Sequence, residues 1–87
     1  MEGVAGKRER GDALVTVRRA PVQSIHIESP VSDLFGHLQR RVVEDVLQHQ
    51  GNEPVQVIVE DDQALDCVIR ARLLCALARL QQQEESV

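Results

Sequence analysis

Aromatic residues are almost missing from this chain: Phe35 is the single one, and tryptophan and tyrosine do not occur among the 87 residues. The stacking platforms used to hold single-stranded nucleic acid have nothing to be built from, so nucleic acid is not an expected partner. The core has to be aliphatic. No apolar run approaches the roughly 20 residues that span a bilayer, and the first residues hold no apolar segment of a secretory signal, so no membrane contact and a cytoplasmic location are expected. Cysteine is scarce as well. Cys67 and Cys75 stand in a segment that reads as helix, about 12 Å apart along its axis, beyond the ~7 Å at which Cα atoms can be bridged. They are expected to be reduced and packed. His26, His37 and His49 lack metal-ligand spacing, and Glu60-Asp61-Asp62 lacks the glycine and alternating ligands of a calcium loop, so no metal is expected. There is no glycine-rich phosphate loop and no nucleophile elbow, which leaves a catalytic role without candidates.

What is present suffices for one small core, with 43% hydrophobic and 28% charged residues. The charge is unevenly placed. Residues 1–22 hold five basic and three acidic side chains, whereas residues 23–87 hold five basic and eleven acidic ones. Residues 1–11 read as a flexible basic leader, 12–83 as one domain, and 84–87 as a frayed tail.

Alternation over Asp12 to Arg18 and again over Gln23 to Glu28 predicts two strands, joined as a hairpin through a loop that contains Pro21. Ser29-Pro30 predicts a helix entrance. The helix then runs to about Gln50, with Val31, Leu34, Phe35, Leu38, Val42, Val43, Val46 and Leu47 as its apolar stripe, Gln39, Arg40 and Glu44 facing away, and Gly51-Asn52 as its stop. Val55 to Glu60 predicts a third strand, apolar enough on both faces to be central or covered. Asp61 and Asp62 precede a second helix from about Ala64 to Gln83, where Cys67, Ala71, Leu74, Cys75 and Ala78 widen the apolar stripe and Asp66 pairs with Arg70. The order ββαβα gives an α+β domain, a mixed three-stranded sheet with two helices on one face.

The stretch EDDQALDCVIRARLLCALAR, residues 60–79, closely resembles the C-terminal half of the citrate lyase acyl carrier protein (gamma subunit) family. The matching pattern is a hydrophobic strand, an acidic turn, then Ala64 to Cys67, two aliphatics and Arg70 to Arg72. SPVSDLFG at 29–36 is similar to the family at Val31, Phe35 and Gly36, and VAG followed by Glu9, Gly11 and Asp12 resembles its leader. The malonate decarboxylase carrier is a related but poorer match.

The resemblance implies a non-catalytic swinging-arm subunit, a cytoplasmic phosphoprotein. In that family 2'-(5''-phosphoribosyl)-3'-dephospho-coenzyme A is joined by a phosphodiester to a leader serine. Its thiol carries acetyl and citryl groups between the alpha and beta subunits of citrate lyase, the implied partners. The serine lies between a glutamate and a small residue followed by aspartate. Here Arg10 fills that slot, between Glu9 and Gly11-Asp12. A guanidinium offers no hydroxyl oxygen, so the arm is expected to be absent from this chain. The other reading is an interaction module that keeps the carrier fold and binds an acidic partner or RNA through its basic leader, with binding lost at high salt.

Overall fold

A computed structural model describes residues 1–30, 32–51 and 53–85. Its elements are β1 (Glu2–Ala5), β2 (Ala13–Arg19), β3 (Ser24–Glu28), α1 (Ser32–Gln50), β4 (Val55–Asp61) and α2 (Asp66–Glu85). The fold is α+β, as the sequence predicts, but the sheet has four strands in the order β1-β2-β4-β3 instead of three. The added strand lies within the expected basic leader, where β1 pairs antiparallel with β2. Expectations for Val31, Asn52, Ser86 and Val87 fall outside the described residues.

The expected hairpin between the second and third strands is also corrected. β2 pairs antiparallel with β4, and β3 pairs parallel with β4 from the other side, so β4 is inserted between them. β-Branched Val55, Val57 and Val59 point to one face of β4, and register places them beside Val15, Val17, Ile25 and Ile27. The helices cover that face: α2 lies over β1 and β2, and α1 lies nearer β3. Val43, Ile69, Leu73, Ala76 and Leu80 close the core against it. Leu14, Thr16 and Ile58 are half-buried on the open face. Each outer strand has a carbonyl capped by a helix arginine: Arg40 donates to Ile25 O at 2.9 Å and Arg79 to Val4 O at 2.6 Å. These contacts occupy backbone groups that would otherwise invite edge pairing.

Both helices bury a narrower stripe than expected. In α1 the inward face is Gln39, Val42, Val43, Val46 and Leu47, whereas Leu34, Phe35 and Leu38 are exposed. Gln39, expected to face away, is 3% exposed. In α2, Cys67, Ala71, Leu74 and Ala78 face solvent and Cys75 is half-buried. Arg70 pairs with Asp45 of α1 at 2.8 Å rather than with Asp66. Helix spacing alone marks a wide apolar arc on either helix, and the sheet covers only part of each arc.

Candidate functional site

Glu9, Arg10, Gly11 and Asp12 form one turn at the tip of the loop between β1 and β2, closed by Asp12 N–H donating to Glu9 O at 2.9 Å. Gly11 occupies the third position with φ 83°, the left-handed value a type II turn needs there. Arg10 is exposed at the second position.

The loop is fastened to the body from two sides. Gly11 N–H donates to Asp62 O at 2.6 Å, and Asp62 N–H donates back to Asp12 O at 3.0 Å, so the tip lies along the connector after β4. Arg72 of α2 grips the Asp12 carboxylate with both arms of its fork, Nε to Oδ1 at 2.9 Å and Nη2 to Oδ2 at 3.0 Å. Asp12 Oδ1 also accepts from Ala13 N–H at 2.7 Å. Arg8, in the same loop, donates to Glu60 at 2.8 Å. The result is a held loop whose outermost side chain, Arg10, projects into solvent.

A second network supports the connector from below. Asp61 ends β4 with its side chain inward and only 4% exposed. Its Oδ1 accepts from Ala64 N–H at 2.8 Å, and its Oδ2 accepts from Ser29 Oγ at 2.7 Å and Gln39 Nε2 at 2.9 Å. One carboxylate thereby joins the loop after β3, the middle of α1 and the turn into α2. Gln63, beside it, takes a left-handed φ of 62°.

A family model described as the malonate decarboxylase delta subunit (MdcD), an acyl carrier protein, matches residues 1–80. The chain belongs to this acyl carrier family. Curated relatives named citrate lyase acyl carrier protein match nearly its whole length. That of Serratia proteamaculans (strain 568) is 46% identical over 80 residues, covering 90% of this chain and 78% of the relative. That of Streptococcus mutans serotype c is 42% identical over 83 residues, covering 93% and 81%. No solved structure matches.

Arg10, Gly11 and Asp12, consecutive in the chain, share the exposed turn, and Arg72 of α2 is the group that holds Asp12. The three histidines are exposed and dispersed: His26 lies on β3, while His37 and His49 lie at opposite ends of α1. Among the described residues no cluster of three metal-ligating side chains occurs, and no helix is long and apolar enough to cross a membrane.

Hydrogen bonding from Arg72, then from Ala13 N–H, holds the Asp12 carboxyl below its usual value. Arg70 does the same for Asp45, and Arg19 for Glu84. Since these carboxyls have lower values when folded than when unfolded, the stability they contribute is complete above the ordinary carboxylate range. It is lost as pH falls through the lowered folded values. Urea midpoints of the protein and of Asp12→Asn are therefore expected to differ at pH 6 and to converge progressively as pH falls below the ordinary carboxylate range. A gap that stays constant with pH would show that the Asp12 charge does not hold the loop.

Proposed function

We propose that this chain is a non-catalytic carrier-type subunit of a citrate lyase-like complex whose arm slot, Arg10, has lost the means of attachment. The slot stands at the exposed tip of a loop fastened by Arg72 and Asp62, a suitable mount for a group that must swing while its root stays fixed. A phosphodiester to the phosphoribosyl dephospho-coenzyme A needs a hydroxyl, and residues 6–12, GKRERGD, contain none. Ser29 is engaged with Asp61, and Ser24 lies on β3, away from the loop. The residues present do not fit the group.

The observation that carries the reading is Arg10 itself, at the second position of the Glu9–Asp12 turn. The body keeps what docking requires, namely a rigid fold and the loop in place, and its partners are the larger subunits of the complex, alpha and beta in citrate lyase. The chain is cytoplasmic on this reading.

Intact mass decides the matter. The protein and Arg10→Ser are each incubated with the prosthetic-group precursor and the transferase that loads such carriers. Only Arg10→Ser is expected to gain the mass of the arm. A gain on the unaltered chain would place attachment elsewhere, and no gain on either would separate the fold from carrier chemistry altogether.

A further inference from the structure

The loop that carries Arg10 begins and ends against one side chain. Arg72 of α2 passes over Gly6, where a Cβ would meet its Cδ at 3.0 Å, and its fork then reaches Asp12 at the other end of the loop. Gly6 has a φ of 89°, so the chain turns there in a conformation that glycine takes without strain, at a point where a side chain would also overlap Ala13 O. The arginine is built into the loop from its first residue to its last.

Asp12 is also the fourth residue of the turn in which Arg10 is the second, and its N–H closes that turn on Glu9 O at 2.9 Å. A fork that takes both carboxylate oxygens fixes the plane of the carboxylate as well as its place. With Asp12 so fixed, and Gly11 N–H tied to Asp62 O at 2.6 Å, the Cα–Cβ bond of residue 10 has one direction. The second arginine at the loop lacks this geometry. Arg8 reaches Glu60 through Nη1 at 2.8 Å and stands 3.7 Å from Glu28, with 61% of its side chain exposed. An exposed pair of that kind is free to pivot.

We infer that Arg72 is the positioning residue of the loop: by holding Asp12 it sets the direction in which the side chain at position 10 leaves the turn, so that a hydroxyl restored there is loaded efficiently only while the fork is in place. In that transfer the serine oxygen forms the new P–O bond, its proton passes to solvent, and the bond from phosphorus to the precursor's leaving group breaks, the leaving group keeping the electron pair. The attacking oxygen has to stand in line with the bond that breaks. A root that pivots lowers the share of bound complexes in which it does. Lysine keeps the charge but cannot take both oxygens in one plane, so Arg72→Lys is not a conservative change at this site. The consequence for loading rests on the proposed function; the ordering of the tip does not.

The two are tested on separate proteins. In the unaltered chain, Arg72→Lys is expected to speed amide exchange at Gly11 and Asp12 by about tenfold or more, while Val57 and Ile69 in the core keep their rates. Asp12→Asn, which weakens the same clamp from its other side, is expected to do likewise. Arg8→Gln, the control, is expected to leave Gly11 and Asp12 unchanged. In the Arg10→Ser background, Arg72→Lys is expected to lower kcat for loading by about tenfold or more with KM nearly constant, since the docking body is untouched. Unchanged exchange at Gly11 and Asp12 in Arg72→Lys, or an equal response to Arg8→Gln, would overturn the assignment. So would a rise in KM alone, which would make Arg72 a contact of the transferase and not a support of the loop. An Arg10→Ser protein that takes no arm with Arg72 intact would sink the proposed function instead, and the exchange rates would then decide the positioning role by themselves.

Discussion

Gly3→Leu is expected to lower the thermal midpoint by about 15–20 °C, because α2 rests directly on the backbone of β1. A Cβ built on Gly3 would overlap Ala76 O and come within 2.8 Å of Leu80 N, both backbone atoms of a helix that cannot shift without lifting off the sheet. Overpacking of a closed core costs about 3 kcal/mol at such a point, and each kcal/mol moves the midpoint of a domain this size by about 4–8 °C. Val4→Leu, on the outward side of the same strand and already partly exposed, is the control and is expected to leave the midpoint within a few degrees. A Gly3→Leu protein as stable as the control would show that β1 does not pack under α2. The effect reaches the β1–β2 loop, since β1 is the strand that leads into it and Arg79 caps the same strand at Val4 O.

β1 shows why part of this fold was hidden in the sequence. Its inward residues are Gly3 and Ala5, small because the helix backbone is so near, and small residues carry almost no hydrophobic periodicity. The strand therefore reads as leader. The bulkier β2, β3 and β4 announce themselves by alternation, but pairing is not written locally: a short connection favours a hairpin, and only the packed sheet shows β4 between β2 and β3. In α1 the buried face begins at Gln39, three and four residues before Val42 and Val43, a spacing legible in principle and masked by the amide's polarity. Leu34, Phe35 and Leu38 continue the apolar arc but remain exposed. At the loop, the resemblance singles out Arg10, Gly11 and Asp12 and says nothing of a clamp on Asp12. Arg72 could not be read as that clamp, because it lies 60 residues from Asp12 and only the antiparallel return of β2 beside β4 brings α2 to it.

Asp61→Ala is the substitution with the widest reach, expected to cost about 3 kcal/mol and to loosen a loop it does not touch. The aspartate stands at an inward register position of β4, level with Ala13 of β2, where the pattern of the strand calls for another valine. It is tolerated there because three donors converge on it. Removal leaves Ala64 N–H unpaired and Gln39 Nε2 with only Ser29 Oγ at 3.4 Å, and each buried group so stranded costs about 1–3 kcal/mol. The connector then loses its anchor from below, and Asp62, whose backbone makes both bonds to the tip of the β1–β2 loop, loses its fixed position. Amide exchange at Gly11 and Asp62 is accordingly expected to accelerate more than exchange at Val15 or Val57 in the core. Gln39→Leu removes the shared partner, so the double variant with Asp61→Ala should be less destabilised than the sum of the two singles, as residues of one network are. Additive costs, or unchanged exchange at Gly11, would mean that the buried carboxylate stabilises α2 alone. The coupled result would instead make Asp61 the link through which both helices and the β1–β2 loop share one support.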